Sequence, residues 1–513
     1  MKLNLFLLLS LLFALINTPL RAQEDNGRPD HYCGVTESHP WMDAYLAGEI
    51  GTARSSTPLA LPIRFIIVGR SDGTGYANPN DVLGSMCQLN EDFAGTNLSF
   101  YIDGELDTIN NTTYWDHNTS NGRLMMAQNN QSGVINVYVV GSPNGACGYY
   151  SPSRDAVAMD KDCMGYGDFT LSHEIGHYLS LRHTFFGWES QSDGGDNPFA
   201  YLPIDEPAPT TVTWSIYTVE VEKADGSNCE DAGDGFCDTD PDYLSVRWSC
   251  DVAGLYPDSL LDSDGNAFIV NGRNIMSYSS DVCVDTFSFE QIAAMETNAN
   301  DRTSLHTGEV ADNDLVPEVV QISPNNGETL DAFDYAELRW EAADNADFYV
   351  VELNNTQFFN GAVFRRYVVF GTVFAITEDL IANRNYYWRV RGVNKHDPCA
   401  DNGEFSDIRR FRNGTISSVI DPPLDAAIDV FPNPLSSNER ALFIQATDLP
   451  SSGELQYQLI NTTGQVIRSR YAGLVAASGF RETIDVGGLP QGMYFLRILI
   501  GDRLLTRRVV LNR

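Results

Sequence analysis

Two kinds of apolar periodicity divide the first part of the 513-residue chain into strands and helices. Short apolar runs typical of buried strands occupy residues 61–68, 98–103, 134–140 and 156–160. Apolar residues three and four apart predict helices over 81–93 and 169–179. Strands and helices mixed in this way predict an α+β or α/β domain built on a mixed sheet.

The later part of the chain alternates with period two between turn-rich segments, which predicts two all-β units. The first covers 315–413, and Trp340 and Trp388 are expected in its core. The second covers 428–513. The predicted fold class is multidomain, with an α+β domain over 57–308 followed by two all-β sandwich domains.

The N-terminus has the pattern of an export signal. A basic residue followed by the apolar run Leu3 to Ile16 predicts a signal peptide over 1–22, cleaved before Gln23. No later stretch is long and apolar enough to span a bilayer, so the mature chain is expected to be exported and soluble, without a membrane span. Residues 23–56 are polar and pattern-poor and are predicted as a pro-segment, with Arg54 as a candidate processing site.

The net charge of -36 narrows the range of partners. It argues against electrostatic binding to nucleic acid or to an anionic membrane surface. It fits a secreted protein with carboxylate-rich cation sites, although a solvated acidic surface is the commoner explanation.

A histidine-rich stretch from His173 to His183 holds the candidate chemistry. On a helix, His173 and His177 project from one face and can share a metal ion. Glu174 is placed to activate a water rather than to bind the metal. His183 can be a third ligand only if the helix stops near Ser180 and the chain bends back. Three nitrogen ligands and a water make an open, catalytic zinc site. The alternative is an exposed helix with surface histidines.

An acidic segment follows in a long irregular region. Residues 228–242 contain five aspartates and one glutamate, which repel one another unless a hard cation binds, and Ca²⁺ is the expected ion. The candidate calcium ligands are Asp231, Asp234, Asp238 and Asp240. The loop 262–266 is a second, weaker calcium-like sequence.

Met276 and Tyr278, which follow this region, suggest a turn beneath the metal. Together with the His173–His183 motif, Cys283 and Phe287-Ser288-x-x-Gln291, they make residues 57–300 resemble the metzincin clan of zinc endopeptidases, specifically the pappalysin/cytophagalysin family. The resemblance implies calcium in the acidic segment and a catalytic role for each residue of the site. In that scheme zinc is bound by His173, His177 and His183, Glu174 is the general base, Tyr278 stabilises the oxyanion and Met276 forms the hydrophobic base of the site.

Two features depart from the family. Most metzincins have Gly where this chain has Ser180, because the turn that ends the helix favours a residue without a Cβ. Ser in that conformation costs about 1 kcal/mol, which a folded domain can absorb. The insertion between His183 and Met276 is also long, which leaves the shape of the substrate-binding wall open.

Cys33 has two interpretations. The sequence Cys33-Gly34-Val35-x-Glu37 resembles the pro-segment motif of the same family, in which a thiolate takes the fourth zinc position and keeps the enzyme latent. The alternative is an ordinary disulfide partner. With Cys33 set aside, the other cysteines of the first part suggest three disulfides and leave Cys87 buried and free on its helix. The suggested set is Cys147–Cys163 and two bridges among Cys229, Cys237, Cys250 and Cys283.

Two further resemblances concern the later units. Tyr-x-Trp-Arg-Val-Arg at 386–391 resembles a late strand of fibronectin type III modules. Phe431-Pro432-Asn433-Pro434 and the strands after it resemble the C-terminal sorting domain of the type IX secretion system. This implies engagement with that machinery, removal of the tail, and release or attachment at the cell surface. The alternative for the tail is a small β-sandwich used for adhesion.

The expected function is that of a secreted zinc endopeptidase that hydrolyses extracellular proteins with a metal-activated water and Glu174 as general base. An alternative of a different class is a non-catalytic cell-surface binding or adhesion protein on the same scaffold. A third is a metal-dependent hydrolase of non-peptide substrates, which would not predict the Met276 turn. The expected cofactors are Zn²⁺ and Ca²⁺, and the bond preference is not readable from the sequence.

Overall fold

The computed structural model describes most of the chain. The described residues are 31–34, 39–51, 57–189, 205–214, 217–306, 308, 315–332, 335–359, 364–376, 380–399, 404–414, 427–436, 439–447, 449, 452–461, 466–501 and 503–512. The predicted signal peptide (1–22) and Arg54 lie outside these residues, and about half of the predicted pro-segment lies inside them.

The N-terminal unit contains every described helix of more than four residues. In chain order its elements are β1 (His31–Cys33), α1 (Pro40–Leu46), β2 (Leu59–Gly69), α2 (Pro79–Asp92), β3 (Leu98–Ile102), β4 (Asp107–Asn110), α3 (Thr112–Trp115), β5 (Asp116–His117), α4 (Thr119–Asn129), β6 (Ile135–Val140), β7 (Ser142–Pro143), β8 (Ala146–Ser151), β9 (Ala156–Asp160), α5 (Thr170–Tyr178), β10 (Thr211–Trp214), β11 (Tyr217–Glu220), β12 (Leu260–Leu261), β13 (Ala267–Phe268) and α6 (Phe289–Asp301). The four predicted strands and two predicted helices of this unit are confirmed as β2, β3, β6, β9, α2 and α5.

A seven-stranded mixed sheet forms the centre of this unit, with strand order β1-β8-β9-β6-β2-β3 and β4 also paired to β2. Strands β9, β6, β2 and β3 run parallel, whereas β8 is antiparallel to β9. Helices α2, α5 and α6 bury their apolar faces on one side of the sheet, and α3 and α4 cover the other. The predicted pro-segment contains a strand, β1, although its sequence showed no strand pattern. The strand forms because these residues pair in parallel with β8.

Disulfides lie in and around the irregular region after α5. The bonds are Cys147–Cys163, Cys229–Cys237 and Cys250–Cys283. Cross-links of this kind order loops that have little regular secondary structure of their own.

The unit over 315–413 consists of two sheets that share one apolar core. Its strands are β14 (Gln321–Ser323), β15 (Glu328–Thr329), β16 (Ala336–Trp340), β17 (Phe348–Asn354), β18 (Arg365–Val369), β19 (Val373–Ile376), β20 (Asn385–Val393) and β21 (Arg409–Arg412). The sheets have strand orders β14-β16-β19 and β15-β21-β20-β17-β18. Trp340 and Trp388 are both buried between them, which confirms their expected place in the core.

The prediction that Cys87 is free is wrong, because Cys87 on α2 is bonded to Cys399 across a sequence separation of 312 residues. The physical reason is a second apolar face on the sheet that contains β17. Phe348 and Val350 on that face join the core of the N-terminal unit, which brings the loop after β20 to α2.

The C-terminal unit has two sheets around a separate apolar core. Its strands are β22 (Ile428–Phe431), β23 (Ala441–Thr447), β24 (Gly453–Asn461), β25 (Val466–Val475), β26 (Gly479–Asp485), β27 (Gly492–Ile500) and β28 (Arg503–Leu511). They pair in the orders β22-β23-β26 and β25-β24-β27-β28. Among the described residues, no helix has the length and apolar character needed to cross a membrane.

Candidate metal centre

Helix α5 is buried along its whole length and carries His173, Glu174 and His177. Two glycines let neighbouring elements approach these side chains closely. A Cβ on Gly176 would lie 2.5 Å from the Met276 sulfur, and one on Gly148 of β8 would lie 2.9 Å from Cγ of Glu174. The helix is therefore fixed between β8 on one side and the Met276 turn on the other.

The helix ends as the sequence predicted. Ser180 has a φ of 76°, in the left-handed region, and the chain turns back there. The N–H of Ser180 donates to the carbonyl of His177 at 2.9 Å, and the N–H of Leu181 donates to that of Gly176 at 2.9 Å. This pair of bonds is the Schellman motif, with Ser180 at the position usually occupied by Gly.

The turn brings the third histidine to the other two. Nε2 of His177 lies 3.1 Å from Nε2 of His173 and 3.1 Å from Nε2 of His183. All three side chains are buried, with exposed fractions of 3% or less. The three nitrogens predicted from the sequence as metal ligands therefore converge on one point.

The Nδ1 atoms of His173 and His177 are bonded to backbone carbonyls, which can only accept a hydrogen bond. The partners are the carbonyl of Ile275 for His173 (2.7 Å) and the carbonyl of Leu181 for His177 (2.8 Å), whereas Nδ1 of His183 is bonded to the Glu189 carboxyl (3.1 Å). Burial raises the pKa of Glu189 to about 8, and Glu189 accepts from His183 in its ionised form. With Glu189 ionised, each Nδ1 carries the proton and each Nε2 presents a lone pair to the other two.

This donor set fits a zinc ion. Three lone pairs that face one another at 3.1 Å repel unless a cation lies between them. Nitrogen ligands at the usual zinc distance are about 3.3 Å apart in a tetrahedral site. Burial and the neighbouring imidazoles hold the pKa of His173 and His177 well below the usual range, and burial lowers that of His183 to about 3, so the rings stay neutral as metal ligands must be.

Cys33 lies at the same point. Its sulfur and the three histidine nitrogens all lie within 4.8 Å of one another. The strand β1 places it there, because Cys33 pairs with Gly148 of β8 and Gly34 donates to the Gly148 carbonyl at 2.8 Å. The four disulfides use the other eight cysteines, so the structure does not make Cys33 a disulfide partner.

The Glu174 carboxylate is fully buried beside this cluster. It makes no hydrogen bond of ordinary geometry, although the Cys33 thiol and the backbone of Tyr150 approach it. Burial raises the pKa of Glu174 to about 8, and these two neighbours lower it by less.

Tyr278 and Met276 also reach the centre. The Tyr278 ring packs edge-on against His183 with centroids 5.0 Å apart, and its hydroxyl donates to the Cys33 carbonyl at 3.0 Å. Burial, followed by the charges of Cys33 and Glu174, raises the pKa of Tyr278 well above its usual value, so the hydroxyl stays a donor. Met276 is fully buried under α5.

Two acidic residues of the centre were missed by the sequence reasoning. Glu189 accepts from His183 Nδ1 and, through its other oxygen, from the Gly187 N–H at 2.7 Å. Asp242 is buried and accepts from Thr184 at 2.6 Å and from Ser277 at 2.9 Å, which ties the turn after His183 to the Met276 turn. Only the density of acidic residues in 228–242 could have pointed to Asp242, and no local signal marks Glu189.

The four candidate calcium ligands do not converge among the described residues. Asp234 is buried and bonded to Phe236 N–H and Thr239, whereas Asp231, Asp238 and Asp240 are exposed. Asp238 accepts from the N–H of Glu290 at the start of α6. Glu222, which the sequence did not single out, lies close enough to Asp234 and Asp240 that burial and these charges raise its pKa to about 9.

Comparisons with known proteins place one end of the chain in a family. Residues 429–512 match the family described as the secretion system C-terminal sorting domain, which confirms the predicted tail. The protein is therefore secreted or attached to the cell surface, and it engages the secretion machinery.

An extracellular metalloprotease of Colletotrichum graminicola is similar to part of the chain. The two are 27% identical in an alignment of 157 residues, and the match covers 27% of this chain and 55% of that protein. The chain thus spans about half the length of this relative.

Fibronectin type III structures are also similar to parts of the chain. An Fn3-like protein from Clostridium thermocellum is 17% identical and covers 21% of this chain and 99% of its own, with a TM-score of 0.15. The fn3 domain of human collagen alpha-1(XX) is 16% identical and covers 21% and 94%, also with a TM-score of 0.15. Scores of this size carry no argument about the fold, which is described above from its own strand pairing.

Proposed function

We propose that the protein is a secreted zinc endopeptidase of the metzincin type, similar to the pappalysin/cytophagalysin family, with its catalytic domain at 57–308 and a fibronectin type III-like unit at 315–413. The observation that carries the proposal is the convergence of three neutral imidazoles on one point, with the buried Glu174 carboxyl next to the Cys33 thiol at that point. Structural zinc sites fill all four positions with protein ligands, whereas a site with three histidines leaves one position for chemistry.

Zinc bound to His173, His177 and His183 would supply Lewis acidity to a water and to the scissile carbonyl. Glu174 takes the proton of the attacking water and returns it to the leaving amine, because it follows the first proposed ligand directly and its carboxyl is buried at this centre. The Tyr278 hydroxyl, which remains protonated, donates a hydrogen bond to the oxygen that gains negative charge. Met276 and Gly176 keep the helix at a fixed depth beneath these groups.

Latency is proposed to come from the pro-segment. Cys33 lies within ligand distance of the three histidines, and Tyr278 is bonded to its carbonyl. The same strand covers the edge of β8. Removal of β1 would free the fourth metal position, the Tyr278 hydroxyl and an edge to which an extended polypeptide can pair.

Calcium is proposed as a second, structural ion near the acidic segment. Support comes from Glu222 and Asp234, whose pKa values are raised to about 9 and about 7, in both cases mainly by burial. A divalent cation would relieve the cost of keeping such groups ionised. Asp240 is exposed, but in addition to burial its charge raises the pKa of Glu222.

The experiment compares processed wild-type protein with Glu174→Ala. Zinc content by mass spectrometry and digestion of casein or gelatin are measured on the same samples. We expect about one zinc per chain in both proteins and loss of nearly all proteolysis in the variant, since Glu174 is not a ligand. Full activity of Glu174→Ala, or a wild-type protein without zinc, would refute the proposal.

A further inference from the structure

Ser180 occupies a backbone conformation that suits glycine. Its φ is 76°, and it is 1% exposed, so neither solvent nor flexibility relieves the conflict between its Cβ and the backbone. The turn matters to two proposed ligands. The Leu181 carbonyl holds His177 Nδ1, and His183 follows three residues after Ser180.

Helix α6 contacts this turn with two side chains spaced four residues apart. Asn298 Nδ2 donates to the Ser180 hydroxyl at 2.8 Å, and the Arg302 guanidinium donates to the Tyr178 carbonyl. Arg302 Nε also donates to Asn298 Oδ1 at 2.7 Å, which fixes the orientation of the amide. The two side chains therefore act as one unit.

The unit is anchored from a third element. Asp155, at the start of β9, binds one nitrogen of Arg302 through both carboxylate oxygens at 2.8 and 2.9 Å. The guanidinium also stacks on the Tyr178 ring, 4.0 Å from its centroid. The Tyr178 carbonyl belongs to the last turn of α5, where carbonyls have no partner within the helix, so Arg302 supplies the missing donor.

We propose that Asn298 and Arg302 form a clamp that holds Ser180 in the left-handed conformation and thereby positions His177 and His183 to bind zinc. The inference rests on the proposed zinc site. Neither residue touches the metal or the substrate, so both are positioning residues. The clamp takes the place of the glycine that this turn would otherwise need, and it does so through the hydroxyl that glycine lacks.

The clamp makes a specific prediction about paired substitutions. In the native background, Asn298→Ala removes the bond that keeps Ser180 in place, and the zinc dissociation constant should rise about 10-fold or more, as for loss of other groups that orient metal ligands. In the S180G background the turn needs no support, so Asn298→Ala should change the constant only about 2-fold. Ser180→Gly alone should stay within about 3-fold of wild type.

The test measures zinc affinity by competition with a chromophoric chelator, and thermal unfolding of the zinc-free proteins, for the full chain. The variants are S180G, N298A and S180G/N298A. Asn300→Ala is the matched control, since Asn300 is an exposed asparagine on the same helix that bonds only to the Glu296 carbonyl within that helix.

An Asn298→Ala effect of equal size in both backgrounds, or one no larger than that of Asn300→Ala, would overturn the inference. If Asn298→Ala fails to fold, S180G/N298A is expected to fold, and its failure would also overturn it. A wild-type protein that binds no zinc would refute the proposed function instead. The unfolding temperatures of the zinc-free proteins then decide whether Ser180 and Asn298 are coupled.

Discussion

Replacement of Glu189 should weaken zinc binding although Glu189 is not a ligand. Its carboxylate accepts from His183 Nδ1 at 3.1 Å and from the Gly187 N–H at 2.7 Å, and the side chain is only 9% exposed. Glu189→Ala leaves two buried donors without acceptors, each of which costs about 1–3 kcal/mol. It also frees the His183 ring to rotate away from the other two imidazoles.

The resulting loss of zinc affinity can be estimated. Loss of a group that orients a metal ligand weakens binding about 10–100-fold, or about 1.4–2.7 kcal/mol. Glu189→Gln has one acceptor oxygen instead of two and can satisfy only one of the two donors, so its effect should lie between wild type and Glu189→Ala. The order wild type, Gln, Ala is therefore the expected order of affinity.

The assay is chelator competition in the Glu174→Ala background, which prevents self-digestion. Glu206→Ala serves as the control, because Glu206 is an exposed glutamate in the same insertion. Equal zinc affinity in the Ala, Gln and control variants would show that the His183–Glu189 bond does not orient the ligand.

Three further predictions test other parts of the molecule. Cys33→Ala should raise the peptidase activity of the unprocessed chain, because it removes the thiol from the three histidines. In a peptide-release assay, activity equal to that of the unprocessed wild type would argue against latency caused by Cys33. Cys399→Ser should lower the midpoint of thermal unfolding, since loss of a cross-link over 312 residues lowers the free energy of unfolding by up to about 5–6 kcal/mol in the chain-entropy model. Scanning calorimetry measures the midpoint, with Asp397→Asn as the control. An unchanged midpoint would contradict this prediction. Glu222→Gln should stabilise the calcium-free protein at pH 8 but not at pH 4. Because the pKa of Glu222 is raised in the folded protein, its stabilising contribution is present below its unfolded-state pKa of 4.5 and is lost as the pH rises through about 9. The free energy of unfolding of both proteins is measured by urea titration in EDTA. The same difference between variant and wild type at both pH values would exclude this cause.

The convergence of the three histidines was predictable because its geometry is local. The spacing of His173 and His177 fixes one face of a helix, and a forced turn at Ser180 is the only way to add His183. The structure has this turn, with the same residue in the left-handed conformation. Four of the seven strands of the central sheet, β2, β3, β6 and β9, were predictable because each is a short apolar run, whereas β1, β4 and β8 were not predicted.

The contacts between distant segments were not predictable. Cys87 and Cys399 are joined only because a sheet of the 315–413 unit has a second buried face, and period-two alternation does not distinguish a face that packs on another domain from one that meets solvent. The contacts of the acidic segment were not predictable either. Asp238 accepts from the N–H of Glu290 at the start of α6, and in addition to burial its charge raises the pKa of Asp234.

The Cys87–Cys399 bond also constrains how the protein leaves the cell. Once formed, the bond makes residues 87–399 a covalent ring. This segment can then no longer cross a membrane as a single extended strand. A bond formed before transport is complete therefore requires a passage that admits at least two strands of the chain side by side.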